Sequence, residues 1–222
     1  VIAIDGPAGA GKSTAARMLA ERLGVVLVDT GALYRAVALV AQERGVDWSD
    51  GRRVGEVARS LTLRFGRGSS GRPPLLVDGV DRSEDIRRED ISQGASQVSA
   101  HPEVRDALLG AQREMGREGG VVMEGRDIGT VVLPDADVKI FLTATLDART
   151  HRRHEELVAR GVHMDMDSVR REIEERDARD TQRAVAPLRQ APDAVRLDTS
   201  GLLLSDVVDE LVRIVRERTA ID

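Results

Sequence analysis

The chain has 222 residues, enough for one full domain and barely enough for two small ones. Its 41% apolar and 32% charged residues exclude a simple disordered chain, and its net charge of −5 argues against a generic nucleic-acid binder. With no cysteine, disulfide scaffolds, thiolate metal sites and cysteine nucleophiles are impossible.

In chain order, Val1–Asp5 is a short apolar run ending at Gly6, the pattern of a buried strand. Ala16, Leu19, Ala20 and Leu23 then recur at helical spacing, with Gly24 as C-cap. Val25–Asp29 is a second apolar run, and Leu33, Val37, Leu39 and Val40 predict a helix that stops near Gly45. Strand, helix, strand, helix is the opening of a parallel α/β sheet. From Leu61 to about Ser83 the rhythm changes. LTLRF, the turn-rich GRGSSGRPP, LLVDG and VDRS predict a small antiparallel meander, although such a composition also suits a disordered loop. Val104, Leu108, Ala111 and Met115 mark an amphipathic helix with Pro102 in its first turn. Gly120–Glu124 and Val138–Leu142 are further buried strands, and Asp147 to about Arg183 is a charged helical region interrupted around Gly161–Asp167. Ala194–Asp198 is the last strand. Val208, Leu211, Val212 and Val215 predict a terminal helix with Ser205 as its N-cap. Five parallel strands with helices on both faces are expected.

No apolar run approaches the roughly 18–20 residues that span a bilayer. Val1–Ile4 also runs straight into Asp5 rather than into a signal-peptide pattern. A cytoplasmic chain without a membrane partner is the expectation.

Gly6-Pro7-Ala8-Gly9-Ala10-Gly11-Lys12-Ser13-Thr14 follows a strand and opens a helix. That context suits a loop whose backbone N–H groups converge on phosphate oxygens at a helix N-terminus. Of 33 basic residues only Lys12 and Lys139 are lysines, so Lys12 stands out against a strong arginine bias. It is expected to reach the β- and γ-phosphates of ATP, and the Ser13 hydroxyl to ligate Mg²⁺. The guanine-reading N/T-K-x-D pattern is excluded, because Lys139 lies in Val138-Lys139-Ile140-Phe141. A motor ATPase would need more chain, or an oligomer with an arginine supplied in trans.

Two further motifs, Asp29–Arg35 and Glu124–Thr130, lie at carboxyl ends of strands, the ligand-binding edge of such a sheet. Moving a phosphoryl group onto another phosphate requires arginines converging from several segments, and Arg35, Arg105 and Arg126 are candidates. Arg176, Asp180 and Arg183 fall on one helical face at i, i+4 and i+7. The same face is open to a reading as solvated surface. Glu172–Arg176 and Glu175–Arg179 have the spacing of ordinary surface pairs.

GPAGAGKST, DTGALYR, ASQVSAHPEVR (Ala95–Arg105), EGRDIGTVV and RDARDTQRAVAPL (Arg176–Leu188) together resemble the bacterial cytidylate kinase family, in the same order along nearly the whole chain. The resemblance implies a P-loop NTPase fold, with a core at about 1–30 and 99–222. It also implies a monophosphate-binding region with a three-stranded insert at about 31–98 and a helical lid at about 149–167. Ser96, Arg105 and Asp127 would recognise cytosine, and Arg176 and Asp180 the ribose hydroxyls. Arg183 would bridge base and phosphate. Thr30, standing where members often have Ser, would also belong to the CMP site, and Arg35 and Arg126 would clamp the acceptor phosphate. Lys12, Arg126 and Arg183 would be the catalytic residues. Ser13, at a position where some members carry Gly, would bind Mg²⁺ directly, and Glu124, where Asp is frequent, through water. The lid carries Arg149, Arg152, Arg153 and Arg160.

The implied reaction moves the γ-phosphoryl of MgATP to CMP or dCMP in a monomer without nucleic-acid partners. Two other readings stay open: a small-metabolite P-loop kinase of the shikimate or gluconate type, and a regulatory module that binds ATP and hydrolyses it slowly.

Overall fold

A computed structural model describes residues 1–66, 73–117 and 119–219. Most of the connection Gly66–Pro74 therefore lies outside the described residues.

The strands β1 (Ile2–Asp5), β2 (Val26–Asp29), β6 (Val121–Gly125), β7 (Val138–Thr143) and β8 (Val195–Asp198) form one parallel sheet in the order β2-β6-β1-β7-β8. The strands β3 (Leu63–Phe65), β4 (Leu75–Val77) and β5 (Val80–Asp81) form the separate antiparallel sheet. The helices are α1 (Lys12–Leu23), α2 (Thr30–Glu43), α3 (Gly51–Ser60), α4 (Glu89–Val98), α5 (Pro102–Arg117), α6 (Leu146–Ala159), α7 (Met166–Gln182) and α8 (Leu204–Arg218).

The unbroken apolar runs of the central strands follow from burial on both faces. Ile2 and Ile4 of β1 and Val122 of β6 pack with Leu19 of α1 and Leu211 of α8. Ala3, Val121 and Met123 face the opposite side, with Ile128 and Val132. A separate core joins α2, α3, α4 and α5 to the small sheet. Leu157, Val169 and Ile173 pin α6 to α7.

Helices α3 and α4 lie outside the elements expected from periodicity. Each buries a narrow stripe, Val54, Val57 and Ala58 in α3 and Ile91, Ala95 and Val98 in α4, and its stability comes from packing on neighbours. Asp50 caps α3 by accepting from the Arg53 N–H at 3.0 Å.

Three sequence expectations are corrected. Ser205 is not the N-cap of α8: the Val207 N–H bonds to the Leu203 carbonyl, so the helix starts before the hydroxyl, which instead donates to Asp206. The Glu172–Arg176 and Glu175–Arg179 pairs do not form. Glu172 accepts from Gln93 and Arg179 donates to Ser96, so both side chains are drawn across to α4 instead of along their own helix.

Candidate active site

The phosphate loop leaves the carboxyl end of β1, the middle strand of the large sheet. Gly6 has φ 151°, and a Cβ there would sit 2.0 Å from the Leu142 carbonyl oxygen, so only glycine lets the loop fold back over β7. Gly11 caps α1 in the left-handed region. Lys12 curls back beneath the loop, donating to the Pro7 carbonyl at 2.6 Å. Burial pushes its ammonium well below the usual lysine range, with Arg126 and Arg176 adding to the effect, and Glu124 and Asp180 opposing it. Residues Ala8–Thr14 line one cleft of about 790 Å³. Gly6 and Pro7, expected from sequence in the same ATP-binding loop, are not among the residues that line it.

Ser13 donates to Glu124 Oε2 at 3.0 Å, while Glu124 Oε1 is buried without a hydrogen-bond partner. Burial pushes the Glu124 carboxyl up to about 7, and nearby Asp29 pushes the same way against Lys12 and Ser13. Among the described residues no group of three or more His, Cys, Asp or Glu could hold a metal alone. A hydroxyl beside one carboxylate with a free oxygen is nevertheless a fitting donor set for Mg²⁺, which completes its shell with water and substrate phosphates.

The other half of the cleft gathers Thr30, Arg35, Ser96, Arg105, Arg126, Asp127, Arg176, Asp180 and Arg183, every residue expected there from sequence. Five of them alternate in charge. Arg105 Nη2 donates to Asp127 Oδ2 at 2.5 Å, and Asp127 Oδ1 lies 3.7 Å from Arg183 Nη2. Arg183 Nη1 lies 3.6 Å from Asp180 Oδ1, and Asp180 Oδ2 accepts from Arg126 Nε at 2.8 Å. Arg105, Asp127, Asp180 and Arg183 are all between 4% and 9% exposed. Burial alone would raise Asp180, but Arg126, Arg176 and Arg183 hold it below the usual carboxylate range.

The ladder holds more guanidinium than it can pair. Arg105 Nε and Arg183 Nη2 are buried without hydrogen-bond acceptors. Half-buried Arg176 is lowered to about 10, by desolvation and then by Arg126. Such a surplus of crowded cations is an environment for anions.

The remaining assignments have more local partners. Arg35 pairs with Asp29 at 2.6 Å, and Asp29 also caps α2 through the Ala32 N–H. The Thr30 hydroxyl donates to the Glu124 carbonyl at 2.7 Å. Ser96 accepts from Arg179.

Helices α6 and α7 close one side. Arg149 donates to the Ala8 carbonyl at 3.1 Å and to Asp177 at 2.6 Å, joining the phosphate loop to both helices. Arg152 reaches Thr199, and Arg153 grips Glu89 of α4 through both carboxylate oxygens. Arg160 pairs with Glu156 of its own helix. Sequence reasoning gave no site role to Asp5, Tyr34 or Asp29. Asp5 is the buried acid that ends β1, and Tyr34 lies under the Arg105 guanidinium at 5.4 Å. The sequence signal for Asp29 and Tyr34 was their place in the Asp29–Arg35 motif, and for Asp5 an acid at the end of an apolar run.

Residues 2–217 match the sequence model of a family described as cytidylate kinase. A cytidylate kinase of Anoxybacillus flavithermus is 48% identical over 98% of this chain and 96% of its own. One from Syntrophotalea carbinolica is 49% identical over 98% and 92%. Among solved structures, a gluconokinase from Sinorhizobium meliloti aligns over 98% of this chain and 92% of its own, with TM-score 0.51 and 16% identity, a likeness of fold alone.

Proposed function

The chain belongs to the cytidylate kinase family, and from that premise we propose that it transfers the γ-phosphoryl group of ATP to CMP and dCMP, giving ADP and the nucleoside diphosphate. The observation that carries the reading is the buried arginine–aspartate ladder, which opens on the same cleft as the phosphate loop. A small-metabolite kinase would have no use for so extended a polar wall.

In this reading the loop amides and Lys12 hold the triphosphate, and Arg35, Arg126 and Arg183 neutralise the acceptor phosphate. The chain thereby offsets the repulsion between two anionic substrates and aligns the acceptor oxygen with the γ-phosphorus. No general base is needed, because a phosphate monoester is already largely ionised near neutral pH. Ser13 and Glu124 would hold Mg²⁺, which when bound neutralises charge on the transferred group. Asp127 would accept from the cytosine 4-amino group beside Ser96 and Arg105, and Asp180 with Arg176 would hold the ribose hydroxyls. Segment 31–98 acts as the monophosphate-binding region and 149–167 as a lid that excludes water. No helix among the described residues is long and apolar enough to cross a membrane. The proposed site of action is the cytoplasm, where both nucleotides are found.

A coupled ADP-release assay with and without CMP tests the reading. ADP release should depend on CMP, with CDP formed in equal amount. Release that ignores CMP would point to an ATP-hydrolysing regulatory module, and release evoked only by a sugar acid would point to a small-metabolite kinase.

A further inference from the structure

Asp5 takes part in none of the binding roles above, yet it is 4% exposed and both of its carboxylate oxygens are engaged. Oδ1 accepts from the Ile128 N–H and Oδ2 from the Gly129 N–H, each at 2.8 Å. These are the first two amides of the five-residue turn Ile128–Val132, which begins directly after Asp127. The opening amides of a helical turn have no partners within it. Here a carboxylate from a strand 123 residues away supplies them. The carbonyl of Asp127 is held as well, accepting from the Val131 and Val132 N–H groups at 2.9 and 3.1 Å. The peptide groups on the carboxyl side of Asp127 are therefore fixed, and only its side chain projects to Arg105 and Arg183.

The anchor is a rigid one. Asp5 ends the central strand, paired with β6 on one side and β7 on the other, and it immediately precedes Gly6. An ionised carboxylate is an acceptor at both oxygens, whereas an amide of the same size presents one acceptor and one donor. Burial pushes Asp5 up to about 6 against the two N–H bonds, which leaves it ionised at neutral pH.

We propose that Asp5 is the positioning residue for Asp127, capping the turn that follows it and so setting how strongly the enzyme distinguishes cytosine from uracil. The proposal rests on the reading of Asp127 as the group that meets the base. It ties base recognition to the strand that carries the phosphate loop, through a residue outside the lining of the cleft.

Asp5→Asn tests it, because the variant keeps the side chain's size and turns an NH₂ towards one of the two amides. Steady-state kinetics would be run with CMP and with UMP at saturating ATP. The CMP:UMP ratio of kcat/KM should fall about tenfold, through a higher KM for CMP, while KM for ATP stays within about twofold. Adding Asp5→Asn to Asp127→Ala should leave the ratio of the single Asp127 variant unchanged. If Asp127→Ala collapses the ratio and Asp5→Asn does not, the proposal alone is overturned. If Asp127→Ala leaves the ratio intact, the base-reading role fails and the proposal falls with it. Should Asp5→Asn not fold, amide exchange in the unmodified protein decides. Slow exchange at Ile128 and Gly129 supports the cap, and exchange at the rate of an open chain overturns it.

Discussion

Asp180 accepts from the Arg126 side chain at 2.8 Å although 54 residues separate them, which places a carboxylate of α7 against the motif that ends β6. The pair is buried on the Asp180 side and sits among Arg176 and Arg183. The reading of the Asp180 face as solvated surface is therefore excluded, and removing the acid leaves several guanidinium groups uncompensated.

Asp180→Ala should accordingly lower both stability and activity. Breaking a buried pair by removing one partner costs about 3–5 kcal/mol. Thermal unfolding reads that loss, and Asp180→Asn, which keeps the shape, should soften it. If Asp180 contacts the ribose 2′-hydroxyl, kcat/KM should fall roughly ten- to a hundredfold for CMP and less for dCMP. The two substrates would then converge, and equal losses would exclude the 2′ contact.

Lys12→Ala should nearly abolish turnover while the far-ultraviolet circular dichroism stays unchanged. Among the described residues Lys12 hydrogen-bonds to the Pro7 carbonyl of its own loop, and the role expected of it is to place charge on phosphate. Electrostatic contacts to transferring groups are typically worth about a hundredfold or more in rate. Retention of over about a tenth of the rate would remove Lys12 from the transition state.

Asp127→Ala should weaken CMP far more than ATP and narrow the gap between CMP and UMP. Uracil places an oxygen where cytosine has its amino group, and a carboxylate repels it. The variant also strips Arg105 and Arg183 of a shared partner, so a drop in melting temperature is expected alongside. Equal kinetic losses for both nucleotides would make Asp127 purely structural.

Asp5 also carries a pH signature. Its pKa rises from 3.8 to about 6 on folding, through burial first and the charge of Asp127 as a smaller contribution. The folded state then holds the proton more tightly than the unfolded one. The stabilising contribution is complete below about pH 4 and is lost as pH rises through about 6. A shift of this size corresponds to about 3 kcal/mol. Urea unfolding of the parent and of Asp5→Asn across that range should show the difference moving against the parent up to about pH 6 and levelling off above it. A constant difference would contradict the raised value.

Much of this architecture was legible in the residue order. Apolar runs ending in an acidic residue marked β1, β2 and β6, whereas β7 and β8 carry Lys139 and Arg196 within their runs and were marked by their remaining apolar positions. The phosphate loop was legible for a different reason. Its geometry is local, requiring glycine where the backbone turns left-handed and lysine where phosphate charge accumulates. The nine residues expected beside the phosphate loop could be named because five motifs together resemble those of a known family.

Sequence by itself thus determined which segments are strands, where the phosphate loop lies and which arginines and aspartates to watch. It left α3 and α4 unmarked, since stripes of three apolar residues form helices only once neighbours cover them. Tertiary structure alone decided that Asp127 and Asp180 alternate with Arg105, Arg183 and Arg126, and that Asp5 caps a turn begun by Asp127. The reason is physical. Helical periodicity assigns a residue to a face, whereas the charge and desolvation it experiences depend on groups brought from distant segments by the packing of the sheet.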